Sequence, residues 1–296
     1  MEATGRTRLA GVLCGLAAAL IWGGFPVMTR LGVAYSSFDL YDVTFLRFSV
    51  AGLLLAPVLV RTGFGRLGPV PVALMVAGIG APYMLVVSQG LALAPVSLFA
   101  ALTPGSMIGF SVLLSVLWLG NRVPLRERAG LALIAAGIGA AGWQGMAQSV
   151  GAGAAVGSFL AGGLLWAIYT VSTRAFSVGP LHATAIVSVV SALVYAPVYV
   201  AMKGSAILEA PLRALAGQAI YQGAMVSIAA LYFYSKAVAL LGPVAGASFA
   251  ALVPVFAVIE ASLLLGEAPG LPSVAALAVV TVGLVVSIAS KNAGTR

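Results

Sequence analysis

The sequence predicts an all-α membrane protein: ten transmembrane helices in two inverted five-helix repeats around a central cavity. Three observations carry that expectation. The composition is nearly uncharged, ten apolar stretches are long enough to cross a bilayer, and the chain repeats itself faintly.

Only 7% of the 296 residues are charged, 61% are hydrophobic and the mean hydropathy is +1.12. A soluble domain carries about 25% charged residues. So few charges cannot cover a water-facing surface of this size, so the bilayer must be part of the solvent. The 36 glycines suit helices that approach closely in lipid. A net charge of +8 on a soluble protein would suggest nucleic acid, but here the basic residues sit at the ends of apolar runs and read as topology signals. Cys14 is the single cysteine, which excludes a disulfide framework and speaks against a cysteine metal site. His182 has no motif around it. No dinucleotide-binding glycine pattern, P-loop, HExxH or nucleophile elbow occurs, so no cofactor, metal or catalytic residue is expected, nor ATP hydrolysis by the chain itself.

The spans fall near 9–30, 38–60, 72–94, 95–119, 126–145, 152–174, 180–202, 213–240, 243–265 and 271–290, each close to the roughly 20 residues a bilayer needs. Charges, Gly or Pro mark the breaks, among them Gly179-Pro180 and Gly242-Pro243. Ala94-Pro95 alone separates spans three and four and implies a tight hairpin. With the N-terminus inside, the inner segments hold Arg6, Arg8, Arg61, Arg66, Arg122, Arg126, Arg128, Arg174, Lys236, Lys291 and Arg296, and the outer ones only Arg30, Lys203 and Arg213. That bias places both termini in the cytoplasm of a bacterial inner-membrane protein. Arg6 and Arg8 before an apolar run also resemble a signal peptide, but the repeat argues that the segment is kept.

Leu16, Ala17, Leu20, Trp22, Val27, Thr29 and Arg30 recur 144 residues later as Leu160, Ala161, Leu164, Trp166, Val171, Thr173 and Arg174. Ala56-Pro57-Val58 recurs as Ala196-Pro197-Val198, and Phe99 to Pro104 (FAALTP) as Phe249 to Pro254 (FAALVP). The order is the same in both halves, which divides the chain into 1–145 and 146–296. Five spans per half is an odd number, so the halves lie in opposite orientations. Inverted repeats suit a transporter, because two near-equivalent halves can exchange conformations about a midplane site.

The Trp22-Gly23 turn, Leu46-Arg47-Phe48 in span two and Leu265-Gly266-Glu267 ending span nine resemble the EamA family of the drug/metabolite transporter superfamily, over nearly the whole chain. Span four ends Leu119-Gly120-Asn121, where the family usually has Glu. Within the family the sequence is most similar to bacterial exporters of aromatic amino acids. That resemblance implies export of amino acids, aromatic ones included, and of related metabolites.

A solute site in lipid needs rings and a few polar groups. The candidates are Trp22, Tyr83, Phe99, Trp166, Tyr169, Tyr232 and Phe249, with Gln89, Gln222 and Ser248. Trp22 and Trp166 are repeat-related and deep in their spans, whereas Trp118 and Trp143 lie nearer the periphery. Pro104 and Pro254, also repeat-related, are expected to kink spans four and nine as hinges or to shape the cavity; a static packed kink is the alternative. Intramembrane charges are costly and functional by default. Arg47, roughly 13 Å from the outer end of its span, and Glu260, roughly 9 Å from its own, are such charges. Arg47 is expected to pair with Glu260, Asp39 or Asp42 as a tether, with proton carriage the other reading of Glu260. Lys236 either draws a carboxylate to the inner mouth or snorkels to the interface, and Glu267 caps a helix end. The competing readings are a carrier of strongly anionic metabolites, which would want more cavity cations than Lys236 and Arg47, an intramembrane enzyme, and a scaffold or receptor without transport.

Overall fold

The computed structural model describes residues 5–148, 152–204, 206–242 and 249–293. Ser248, Pro243 and Arg296, all invoked above, lie outside the described residues. The described chain is helical: α1 (Gly5–Tyr35), α2 (Leu40–Thr62), α3 (Pro69–Ile79), α4 (Ala81–Leu93), α5 (Val96–Leu119), α6 (Leu125–Gln148), α7 (Ala152–Ala175), α8 (Pro180–Lys203), α9 (Leu212–Gln218), a π-helix (Ala219–Ala229), α10 (Ala230–Leu241), α11 (Val253–Leu264) and α12 (Leu271–Ala293). Eight helical spans are long and apolar enough to cross a membrane, with α3–α4 as one and α9–π–α10 as another; α11 and the apolar run Leu271–Ser287 are the two shorter members. These make the ten predicted spans.

Sequence chemistry sets the ends. Asp39 caps α2 by accepting the amides of Tyr41 and Asp42 at 2.9 and 3.0 Å, while Asp42 Oδ2 accepts the Asp39 amide at 2.8 Å. Proline starts α3, α4, α8 and α11, where its missing N–H costs nothing. Gly120 and Gly266 end α5 and α11 at φ +67° and +68°, a conformation only glycine takes freely. In both, the next amide, of Asn121 or Glu267, reaches back six residues, to the carbonyl of Ser115 at 3.2 Å or Ala261 at 3.3 Å. The repeat therefore extends to cap geometry.

Two spans depart from single α-helices. The third breaks at Gly80, which is extended, just ahead of Pro82. The freed Ala81 amide donates to Ser191 Oγ of α8 at 3.3 Å, supplying the partner that backbone needs in lipid. The eighth span carries eleven residues of π-helix, a form that is rare beyond a single turn and frequent at functional sites.

Packing is symmetric under exchange of the halves. α1 lies against the eighth span and α11, as α7 lies against the third span and α5. α2 contacts the π-helix as α8 contacts α3; α2 pairs with α8 and α6 with α12. The α6–α12 seam is so close that a Cβ on Gly283 would meet the Gly130 carbonyl at 2.8 Å. Each half thus completes the other. With five crossings per half, matching spans run in opposite directions.

Candidate functional site

Arg47 enters α2 about 10 Å of helix rise beyond Leu40, well inside the apolar length. The expected tether is not what holds it. Asp39 is engaged by Lys203, Asp42 accepts the Tyr199 hydroxyl at 2.6 Å, and Glu260 faces α1 because α11 packs on α1 and α5. Arg47 instead donates to Gln222 Oε1 at 3.3 Å and lies over the rings of Phe25 at 5.0 Å and Phe48 at 5.7 Å. Among the described residues no carboxylate pairs with it. Ring quadrupoles ease a buried cation, but a guanidinium has five donors and one amide uses few of them.

The π-helix delivers Gln222, which is fully buried. Its Nε2 donates to Thr29 Oγ1 at 3.0 Å, and Thr29 donates to the Phe25 carbonyl at 2.8 Å. A polar line therefore runs from Arg47 through Gln222 to the α1 backbone. Beside it stands Tyr83 of α4, 2% exposed, its hydroxyl buried without a partner. The Tyr83 ring meets Trp166 edge-on at 5.4 Å. Phe25, Phe99 and Phe159 continue the aromatic wall at 6.2 and 5.6 Å.

Five predicted residues thus converge: Arg47, Tyr83, Phe99, Trp166 and Gln222. The others do not join them. Trp22 donates to the Val226 carbonyl at 3.3 Å and packs on Tyr234. Phe249 fills the space beside Gly15, and Tyr169 packs against Gly78. Tyr232 is 58% exposed, under Lys236 at 5.7 Å, and Gln89 is exposed too. Pro104 sits inside continuous α5, whereas Pro254 lies in the first turn of α11, so the repeat-related prolines occupy different helical settings. The sequence reading missed Phe25, Thr29, Phe48 and Phe159; Phe48 was within reach, as the neighbour of Arg47 in Leu46-Arg47-Phe48.

A second polar cluster lies at the face on which α1 ends. Glu267 pairs with Arg30, accepts the Tyr35 hydroxyl at 3.2 Å, and accepts the Val96 amide at 2.9 Å, the first amide of α5. It does cap a helix, though not its own. Arg30 also donates to the Leu91 carbonyl at 2.5 Å. Four spans meet in one ion pair whose side chains are 13% and 11% exposed. The repeat-related positions hold Asn121 and an exposed Arg174, so the opposite face lacks the acid. Beside this ion pair lies a cavity of about 140 Å³ lined by Ser97, Gln144, Ser273 and Glu267; a second, of about 340 Å³, lies among Phe38, Asp42, Lys203 and Glu209. Both are lined by residues at the helix ends on the face where α1 ends.

No curated protein matches the chain. A solved structure titled only "Crystal structure of protein" is 21% identical, with a TM-score of 0.58 over 95% of this chain and 97% of that one, a likeness of fold. The sequence matches the EamA-like transporter family over residues 9–142 and 153–289. The chain therefore belongs to the EamA-like transporter family, membrane carriers of small solutes.

Proposed function

We propose that the protein exports amino acids, aromatic ones included, and that Arg47 receives their carboxylate. The observation that carries this reading is a cation deep in an apolar span with no acidic partner among the described residues, set in an aromatic wall. An uncompensated charge in low dielectric is costly, so a site that keeps one gains from an anionic ligand. The unpartnered Tyr83 hydroxyl adds a donor to the same spot, and Trp166, Phe99 and Phe25 offer surface to an apolar side chain. In this reading the halves, divided near residue 145, rock about the site. Pro104 and Pro254 act as hinges, and the Arg30–Glu267 pair latches one face. The basic bias of the loops puts both termini in the cytoplasm of a bacterial inner membrane, with the latch outside.

Nucleotide sugars and sugar phosphates carry several charges. Arg30 and Lys203 are already paired with Glu267 and Asp39, which leaves Arg47 too few companions for them. The test is flux into proteoliposomes with a panel of labelled amino acids and one labelled sugar phosphate. Uptake of phenylalanine or tryptophan that falls at least tenfold in Arg47→Gln supports the reading. A panel in which no amino acid moves, or in which the sugar phosphate alone does, rejects it.

A further inference from the structure

Several departures from internal symmetry gather at one place. Glu260 of α11 lies against the Gly23-Gly24 pair of α1: its Oε1 stands 3.1 Å from where a Gly23 Cβ would be, its Oε2 2.6 Å from a Gly24 Cβ. The Tyr221 hydroxyl of the π-helix occupies the same space beside Gly24. It donates to the Ile21 carbonyl at 3.0 Å, while Glu260 Oε1 is buried with no partner. At the symmetry-related interface, of α7 with the third span and α5, the corresponding positions hold Phe110 for the acid, Leu74 for the tyrosine and Ala167-Ile168 for the glycines, with no π-helix among the described residues. Carboxyl, hydroxyl, glycine pair and π-helix meet at one of the two related interfaces between the halves and are all absent from the other.

We propose that Glu260 binds and releases a proton, and that its occupancy is linked to the solute site at Arg47; the linkage, but not the proton site, rests on the function proposed above. Among the described residues no cation pairs with the carboxyl. α5 has no ionisable residue. α12 has only Lys291, in its last turn. On α1, Arg30 lies about 10 Å of helix rise from Gly23 and is held by Glu267, while Cys14, Arg8 and Arg6 lie farther off toward the start of the helix and Tyr35 beyond Arg30 at its end. From the π-helix comes Tyr221, a neutral hydroxyl already donating to backbone. The carboxyl is therefore held as the neutral acid when the helices are packed as seen here. It loses its proton when the α1–α11 contact opens to water.

The linkage has two physical routes. Tyr221 and Gln222 are neighbours in the π-helix; the first reaches the Glu260 site and the second the Arg47 site. On α1, Ile21 to Gly24 border Glu260, while Phe25 and Thr29 border Arg47 and Gln222. A shift of α1 that frees Glu260 thus also moves the ring under Arg47. Binding energy at either site biases the other by the same factor.

Infrared difference spectra of the full-length protein in lipid, between acidic and alkaline buffer, test the proton site without any solute. The wild type should show a protonated-carboxyl C=O band at acidic pH that is absent from Glu260→Gln and shifted in Glu260→Asp. Phenylalanine flux into proteoliposomes should respond to an imposed pH gradient in wild type and Glu260→Asp, by about tenfold, and not in a Glu260→Gln protein that still takes up phenylalanine in the absence of a gradient. An unchanged band in Glu260→Gln overturns the proton site, and an unchanged gradient response overturns the linkage. If the wild type moves no phenylalanine, the substrate reading fails, and the infrared band alone still decides the proton site.

Discussion

Replacing Glu267 with glutamine should unlatch one face of the transporter. The substitution keeps shape and removes charge. Arg30 is then left with the Leu91 carbonyl, and the Val96 amide at the α5 start loses a charged acceptor for a neutral one. Removing one partner of a buried pair costs 3–5 kcal/mol. These side chains are 13% and 11% exposed, so some of that is recovered by water and about 2–3 kcal/mol is the fair figure. If the pair forms only when the face is closed, the ratio of closed to open falls by roughly 30- to 150-fold. The assay is the rate at which a membrane-impermeant maleimide modifies a cysteine at Ser97, in a Cys14→Ser background, since Ser97 lines the cavity under Glu267. Labelling should rise at least tenfold in Glu267→Gln and equally in Arg30→Gln. The double change should add little, because each single change already removes the whole interaction. Labelling that stays within twofold, or two single effects that simply add, would refute the latch.

Other consequences are narrower. Tyr83→Phe removes a buried hydroxyl that has no partner, so thermal stability in detergent should hold or rise, while phenylalanine affinity falls by about 1 kcal/mol, or fivefold; a loss of stability would mean the hydroxyl has a structural partner. Trp166→Ala should lower flux more than Trp118→Ala or Trp143→Ala, whose side chains are 45% and 75% exposed, and equal effects would remove Trp166 from the solute site. Burial pushes the Asp39 carboxyl up, but the Lys203 ammonium and the amides of Asp42 and Tyr41 pull it further down, so it rests below its ordinary 3.8. The stability it contributes is therefore present above that value and lost as pH falls through the lowered one. Being partly exposed, it should contribute only about 0.5–1 kcal/mol at neutral pH, seen as a small drop in melting temperature in Asp39→Asn that disappears in strong acid; a drop that persists in acid would assign it to shape rather than charge.

The architecture was legible because lipid simplifies the code. Span length and charge placement follow from the bilayer alone, and the recurrence of Trp22 to Arg30 as Trp166 to Arg174 carried the doubling. Local backbone departures were less visible. The third span breaks at Gly80, where Ser191 of a distant helix makes the break tolerable. Nothing in Ala219 to Ala229 announces a π-helix. The site was half legible for the same reason. Residue types marked Arg47, Tyr83, Trp166 and Gln222, but which acid faces which base depends on helix neighbours. Glu260 and Arg47 lie at similar depths, yet α11 packs on α1, so the two charges serve different sites. Arg30 and Glu267 were each noted, one in the repeat and one in the family motif, but their meeting 237 residues apart needed the fold.

The central claim is that Arg47 recognises a carboxylate. The direct measurement is competition in phenylalanine-loaded proteoliposomes between phenylalanine and phenethylamine, the same molecule without its carboxylate, in wild type and Arg47→Gln. The account predicts that wild type prefers phenylalanine by about 1.5–3 kcal/mol, or more than tenfold, as suits a charged hydrogen-bonded contact, and that Arg47→Gln removes most of that preference. Equal inhibition by both compounds in wild type, or a preference untouched by Arg47→Gln, would contradict it.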